Sequence, residues 1–155
     1  MNAQPSIRLS IDEAWEFVAS ARTGIMTTLR RDGMPIAMPL WYVAHERSIY
    51  VSTRGKKLVR LRNDPRASFL VETGEKWAEL KAVHFTGRVD LAPVDPDLSK
   101  LLSRMSEEKY RAFRTPASQM PESATRTYST SMKWIRFIPD DRVLSWDNSR
   151  FQIGS

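Results

Sequence analysis

The chain has 155 residues, of which 41% are hydrophobic and 10% aromatic, and it carries a formal net charge of +6. These values predict one globular domain over residues 1–155, and no run reaches the roughly 18 uncharged apolar residues of a membrane span. Without cysteine, and with two histidines at His45 and His84, the sequence offers no disulfide, no thiolate nucleophile and no spacing typical of a metal site. The N-terminus lacks a signal-peptide pattern, so the cytoplasm is the expected compartment.

The first predicted elements are a helix and a β-hairpin. Ser10 and Glu13 form a capping-box pattern before an apolar stripe, which predicts the helix. The following stretch, GIMTTLRRDGMPIAMPLWYV, alternates like a strand, turns at its Asp-Gly pair and continues as a second strand over 36–43. Pro35 and Pro39 cannot donate ladder hydrogen bonds, so this second strand is expected at a sheet edge, at a bulge or beside a ligand.

A third strand, SIYVST, runs directly into the most basic part of the chain. STRGKKLVRLRNDPR (residues 52–66) contains six Lys or Arg and one acid, Asp64, which gives +5 of the net +6. Leu58 and Leu61 lie three apart, which predicts a short helix over 56–63. Cations and hydroxyls at a strand end that meets a helix N-terminus suit a compact anion such as a phosphate, while a solvated helix face explains the charge run equally well.

The rest of the chain predicts four strands and a second long helix. ASFLVET and WAELKAVHFTGRVDL are predicted strands, with a bulge at Gly87. MKWIRFIP and RVLSW are predicted to be two further, separate strands, and the Pro-, Ser- and Thr-rich segment 114–131 is a lid, a further helix or an arm to a second subunit. The second helix is expected to open at an Asp-Pro pair. Its candidate buried residues are Leu98, Leu101, Leu102, Met105, Tyr110 and Phe113.

This order of elements predicts a mainly β fold with flanking helices, an antiparallel barrel and not an alternating βαβ domain. The arrangement resembles the flavin-binding split-barrel superfamily, which includes pyridoxamine phosphate oxidase and the flavin- and deazaflavin-dependent oxidoreductases. The resemblance rests on the DG-x-P turn between paired strands, on IYVSTRGKK as a strand into a basic loop, on LVRLRNDPRASFLVE with its N-D-P-R exit, and on VHFTGRVDL. It implies an antiparallel split β-barrel like that of pyridoxamine phosphate oxidase.

The resemblance also implies a homodimer that binds a flavin-type cofactor at the subunit interface, with the cofactor phosphate held by the basic loop. Lys57, eight positions before the N-D-P-R proline, takes the position of the family's phosphate-binding lysine, and the strand over 38–41 takes that of the strand along the cofactor ring. The implied cofactor-binding residues are Met38, Pro39, Leu40, Trp41, Ser52, Thr53, Arg54, Lys56, Lys57 and Arg60.

Departures from the oxidase pattern narrow the expected chemistry. Met38 stands where the oxidase has a phosphate-binding arginine, Val43 stands near its lysine, and the basic loop is shortened, with Gly55 where many relatives carry an extra cation. These differences argue against vitamin B6 chemistry and favour the deazaflavin coenzyme F-420 over FMN. The implied reaction is hydride transfer to a small conjugated substrate, without nucleic-acid or membrane partners. No catalytic residue is assigned, and the candidate general acids are Tyr42, Tyr128 and His84.

Three other functions stay open at this point. A basic stretch beside aromatic strands can follow a nucleic-acid backbone, which would make binding strongly salt-dependent. A haem-binding split barrel would use His45 or His84 as the axial ligand. A protein of the same fold can also carry the cofactor without turning over a substrate.

Overall fold

The computed structural model describes residues 6–128 and 132–151. Its described part contains one antiparallel seven-stranded sheet with the strand order β2-β1-β5-β6-β7-β4-β3, and helices flank it. The strands are β1 (Thr23–Leu29), β2 (Pro35–Trp41), β3 (Val43–His45), β4 (Ser48–Thr53), β5 (Arg66–Thr73), β6 (Lys81–Asp90) and β7 (Lys133–Asp147). The helices are α1 (Ile11–Ser20), α2 (Lys56–Asn63), α3 (Pro96–Tyr110) and α4 (Glu122–Tyr128). This architecture confirms the predicted split-barrel fold class.

The sheet curls because its two edge strands are joined by a single residue. β2 and β3 are the outermost strands on opposite sides, yet only Tyr42 separates them in the chain. Opposite edges can meet through one residue only if the sheet bends round on itself, as in a barrel that is not fully closed. The prediction of one continuous strand over 36–43 was therefore wrong, since the chain leaves one edge at Trp41 and enters the other at Val43.

Several local predictions are confirmed by hydrogen bonds and register. The Glu13 N–H donates to the Ser10 hydroxyl at 3.2 Å, and the Ser10 N–H donates to the Glu13 carboxylate at 2.7 Å, which completes the capping box of α1. β2 is an edge strand, as its prolines require. The register of β6 against β7 shifts at Gly87, where any side chain would collide with the backbone of Ile138.

Other element predictions were wrong in ways that the sheet explains. The two C-terminal strands form one continuous strand, β7, because the bulge opposite Gly87 absorbs the irregular residues between the two apolar runs. The stretch Trp77–Glu79 is a 3-10 turn before β6 and is not part of that strand. Phe113 follows α3 in the short turn Arg111–Phe113 and is 50% exposed, so it is not buried. Segment 114–131 contains α4, and residues 129–131 lie outside the described residues.

The core fills the interior of the curled sheet. Phe69, Phe85 and Phe137 are fully buried there, and Trp15 of α1 stacks on Phe85 at 4.9 Å between ring centroids. A second, smaller cluster lies beneath α3 and contains Val43, Tyr50 and Leu102. Helix α3 therefore covers the β3–β4 side of the sheet. Within the described part of the chain, every helix is too short or too polar to cross a membrane.

Tyr110, at the end of α3, forms hydrogen bonds with the backbone around Tyr42, where the two sheet edges meet. We call this place the seam. Its hydroxyl accepts from the Tyr42 N–H at 2.9 Å and lies 2.7 Å from the Arg22 carbonyl and 2.8 Å from the Tyr42 carbonyl, to one of which it donates. The Tyr42 hydroxyl donates to the Val18 carbonyl. Burial raises the pKa of Tyr110 to about 12, so the hydroxyl keeps its proton near neutral pH. One buried phenol thus replaces ladder hydrogen bonds at the seam.

Lys109, beside this seam, makes the free energy of unfolding of the protein depend on pH. Burial lowers the pKa of Lys109 to about 8 from an unfolded value of 10.5, so between these two values the unfolded chain holds more protons and rising pH favours the folded state. After allowing for solvent exposure, we expect the free energy of unfolding to rise by about 1 kcal/mol between about pH 7.5 and about pH 9.5. Urea melts of the wild type should show this rise. Lys109→Met should abolish it, and an identical rise in the variant would contradict it.

Candidate functional site: the basic junction of β4 and α2

The site begins where β4 ends and α2 starts. Gly55 has a φ of 70°, a left-handed conformation that favours glycine, and this allows a sharp turn from Thr53 into the helix. Gly55 is also the N-cap of α2 and supplies no side-chain cap, so the first helical N–H groups of Lys56 and Lys57 lack a side-chain acceptor. Free N–H groups at the positive end of the helix dipole favour an anion at this junction.

The two hydroxyls predicted for this site lie on opposite faces of β4. Thr53 is buried and has the same strand parity as Val51, which packs in the core. Ser52 pairs with Trp134 of β7 on the other face, the one covered by α3. The strand therefore does not bring both hydroxyls to one face, and Thr53 is the one directed into the barrel.

Arg60 connects α2 to the interior of the sheet. Its Nε–H donates to the hydroxyl of Thr28 at 2.8 Å, and Thr28 is buried on β1. Thr28 pairs with Ile36 of β2, and two residues further along the same face the register pairs Met26 with Met38. Paired residues in an antiparallel ladder point to one face, so Arg60 and Met38 lie on the same side of the β1–β2 pair. Both groups of predicted site residues therefore have a member on this face, Arg60 in one and Met38 in the other.

Among the cations of the junction, Lys57 is the one whose surroundings differ most from water. It is half-buried, and burial together with the nearby charge of Arg60 lowers the pKa of Lys57 below its ordinary value. Within residues 6–128 and 132–151, Lys56, Lys57 and Arg60 form no ion pair with a carboxylate. Two close, partly desolvated cations without a counter-ion are stabilised by an added anion, so these residues fit a phosphate group. Arg54, also half-buried, lies at the start of the same turn.

The four predicted residues of β2 are divided between its two faces. Met38 and Leu40 pair with the inward-facing Met26 and Gly24, whereas Pro39 has the opposite strand parity. Met38 is 45% exposed although it faces inward, because β2 is an edge strand. An apolar, accessible face next to the basic junction suits the flat ring system of a cofactor more than a second anion.

Trp41, at the end of β2, already packs against another aromatic ring. Its indole stacks on the Tyr110 ring at 4.3 Å between centroids and 6° between planes. The Arg114 guanidinium carbon lies 5.9 Å from the indole centroid. Since Tyr110 occupies one face of the indole, a bound ring can stack only on the other face.

The two histidines lie away from the junction. His45 is the last residue of β3, with its Nε2 3.8 Å from the Glu46 carboxylate. His84 lies in β6 on the face opposite the buried Phe85, and it pairs with Leu144 of β7. Among the described residues, no group of three or more metal-ligating side chains is close enough to hold an ion. Of the candidate general acids, Tyr42 is buried as part of the seam, and the side chain of Tyr128 lies outside what the structure describes.

Two residues of this region were not identified from the sequence. Thr28 lies two residues from Met26 along β1, so the strand period predicts that it faces inward with Met26. Its hydrogen bond to Arg60 joins residues 32 positions apart, and the sequence does not predict that contact. Tyr110 was predicted to be buried, and its hydrogen bonds at the seam depend on the meeting of the two edges at Tyr42. The general signal in both cases is a polar group at an inward-facing position, which indicates a specific partner without identifying it.

These features define a class of protein: an antiparallel split barrel with a basic strand-to-helix junction. Residues 10–141 match the family model of pyridoxamine 5'-phosphate oxidase, and the chain belongs to this family. Among curated proteins, none matches the chain.

Solved structures with the same fold include several bacterial proteins. A conserved hypothetical protein of Mycobacterium tuberculosis is 26% identical, with a TM-score of 0.76 over 99% of this chain and 98% of that one. An FAD-binding protein of Mesorhizobium loti is 23% identical, with a TM-score of 0.64 over 88% and 91% of the two chains. HutZ, the haem storage protein of Vibrio cholerae, is 14% identical, with a TM-score of 0.65 over 88% and 94%. The last two likenesses concern the fold alone.

Proposed function

We propose that residues 1–155 form one domain that binds a flavin-type cofactor, with the cofactor phosphate at the junction of β4 and α2, and that the protein is an oxidoreductase. The observation that carries this proposal is the half-buried Lys57 beside Arg60 without a carboxylate partner in the described chain. Burying unpaired cations costs free energy, and a phosphate recovers that cost by charge-assisted hydrogen bonds. Membership of the pyridoxamine 5'-phosphate oxidase family supports the same proposal.

In this proposal one group of residues binds the phosphate of the cofactor and another group lies along its ring. Lys56, Lys57 and Arg60 hold the phosphate with the first N–H groups of α2, and the neighbouring Thr53 and Arg54 complete the junction, whereas Ser52 lies on the opposite face of β4. Met38 and Leu40 lie along the ring on the inward face of β2. Pro39 and Trp41 have the opposite strand parity, so Pro39 keeps β2 at the sheet edge and Trp41 borders the ring only at the end of the strand. A bound flavin or deazaflavin supplies the hydride-transfer chemistry, and the protein binds it, orients it and keeps water away from it.

We favour the deazaflavin coenzyme F-420 over FMN, with a small conjugated molecule as the hydride acceptor. The support is the apolar character of Met38 and Val43, positions where the B6 oxidases place cations. The similarity to an FAD-binding protein of Mesorhizobium loti leaves ordinary flavins as the second choice. Haem binding, suggested by the similarity to HutZ, has less support, because neither His45 nor His84 lies at the basic junction.

We also propose that the protein is a homodimer in which the outer face of the sheet meets a second copy. On that face the register places Pro39, Ile25, Leu70, His84 and Leu144 side by side across five strands. Leu144 is 62% exposed, and a groove of about 580 Å³ lies further along the same strands, lined by none of the proposed cofactor residues. A largely apolar row of this kind, interrupted only by His84 among the residues named, supports an interaction surface.

A charge placed in this row should separate the subunits. Leu144→Lys introduces two like charges near a two-fold contact, so we expect light scattering after size exclusion to give a dimer for the wild type and a monomer for the variant. Trp77→Lys, at an exposed aromatic outside the row, is the matched control and should leave the dimer intact. A monomeric wild type, or a dimeric Leu144→Lys protein, would show that this face is not the interface.

The proposed function is tested by titrating the purified protein with FMN and with the deazaflavin coenzyme at fixed salt while cofactor fluorescence is followed. We expect saturable binding of the deazaflavin and weaker binding of FMN. Saturation with FMN alone would keep the phosphate site and replace the deazaflavin by an ordinary flavin. Binding of neither cofactor would refute the proposed oxidoreductase function. Bound cofactor without reduction of any conjugated acceptor would instead indicate a carrier.

A further inference from the structure

A cavity lies beside the seam, between α1, β3 and α3. Its volume is about 370 Å³, within the range of sites that take small organic molecules. Four of the six lining side chains are apolar, and Lys109 and Glu108 supply the charges. The lining residues are Ala19, Val43, Ala44, Met105, Glu108 and Lys109.

Lys109 is held in place with its amine partly removed from water. Its Nζ donates to the Tyr42 carbonyl at 3.2 Å, and it lies 4.0 Å from the centroid of the Tyr42 ring and 5.3 Å from that of the Tyr110 ring. Among the described residues it forms no ion pair, and its neighbour Glu108, which also lines the cavity, is not within ion-pair distance. Glu108 is the charged group that lines the cavity beside it, and the rings of Tyr42 and Tyr110 pack around its amine.

This setting makes the amine a nucleophile near neutral pH. Burial lowers the pKa of Lys109 to about 8, so about half of the side chains are neutral at that pH, against roughly one in 300 for a lysine with the ordinary value. The bond to the Tyr42 carbonyl uses one N–H and leaves the nitrogen lone pair of the neutral amine available. Lysines desolvated in apolar pockets are activated in this way.

We propose that this cavity binds small apolar aldehydes and that Lys109 forms a Schiff base with them. The Nζ lone pair forms a bond to the carbonyl carbon, the C=O π bond breaks, and the oxygen takes up a proton to give a carbinolamine. Loss of that hydroxyl as water, with loss of the second amine proton, gives the imine. No electrons are transferred, so no oxidant or reductant takes part. Ala19, Val43, Ala44 and Met105 provide the apolar surface for the aldehyde chain.

The experiment is site-resolved reductive alkylation of the intact protein. The protein is treated with a limiting amount of hexanal and cyanoborohydride near pH 8, and peptide mass spectrometry gives the rate at each lysine. Lys100 is the matched control because it lies exposed on the same helix, α3. We expect Lys109 to be alkylated at least about tenfold faster than Lys100, given its larger neutral fraction. Equal rates, or a slower Lys109, in a protein whose circular dichroism is native would overturn the proposal.

A second variant separates the cavity from the amine itself. Ala19 is exposed on α1 and lines the cavity, so Ala19→Leu narrows the space while Lys109 and its acceptor, the Tyr42 carbonyl, stay unsubstituted. This variant should lose most of the preference for hexanal at Lys109 while formaldehyde still labels that residue as in the wild type. An unchanged preference for hexanal would show that the cavity does not bind the aldehyde. Both outcomes are independent of cofactor binding at the basic junction.

Discussion

Replacing Lys57 with alanine is expected to weaken cofactor binding by roughly 10- to 150-fold, which corresponds to about 1.5–3 kcal/mol for a hydrogen bond to a charged group. Lys57 is half-buried beside Arg60, and no carboxylate within the described chain offsets either charge. The bound phosphate would be the counter-ion that this pair lacks. Removing one cation leaves the phosphate with fewer donors in a partly desolvated site, so the loss should exceed that for a surface charge.

The control for this prediction is a residue five positions further along α2. Arg62 is exposed on the same helix and carries the same charge, so Arg62→Ala changes the net charge equally without changing the proposed phosphate contacts. We expect less than about a threefold effect from this control, since exposed ion interactions contribute little. If both variants weakened binding to the same extent in a fluorescence titration, the general charge of α2 and not a phosphate site would explain the affinity.

Tyr110→Phe is expected to destabilise the fold by about 2–3 kcal/mol, because it removes one oxygen that serves several buried backbone groups. The Tyr42 N–H loses its acceptor, and the carbonyls of Tyr42 and Arg22 lose the hydroxyl donor that one of them uses. In a chain of this size the melting temperature should fall by roughly 6–12 °C. The aromatic stacking on Trp41 does not require the hydroxyl, so the lost stability reports the hydrogen bonds of the hydroxyl at the seam.

Tyr50→Phe is the matched control for the seam. Tyr50 is buried beneath α3, and its hydroxyl forms no hydrogen bond with another residue in the described part of the chain. Its removal should change the free energy of unfolding by less than about 0.5 kcal/mol. Equal destabilisation by the two variants would mean that Tyr110 contributes only its bulk, and that the seam is held by other contacts.

Much of the fold was predictable because it depends on local signals. The capping box at Ser10, the prolines of β2 and the bulge at Gly87 each restrict the backbone in a way that the neighbouring residues reveal. The break at Tyr42 was not predictable in this way. Trp41, Tyr42 and Val43 form an uninterrupted strand-like run, and only the closure of the sheet decides that one half pairs with β1 and the other with β4.

The candidate site shows the same division between local and long-range information. The charge of the junction is visible in residues 52–66, and the helix that carries it follows from Leu58 and Leu61. The link from Arg60 to Thr28 and the burial of Lys57 depend on how α2 packs against β1, which a pattern of residue types does not contain. Lys109 gave no sequence signal, since an isolated lysine at a helix end is ordinarily solvated.

The central claim, that the junction of β4 and α2 binds the cofactor phosphate, is tested most directly by varying the phosphate and its partner together. The dissociation constants of FMN and riboflavin, and of the deazaflavin coenzyme and its phosphate-free form, should be measured for the wild type and for Lys57→Ala. We expect the phosphate to strengthen binding at least about tenfold in the wild type and to lose most of that advantage in the variant. A phosphate advantage of the same size in both proteins would contradict the claim, because it would place the phosphate elsewhere.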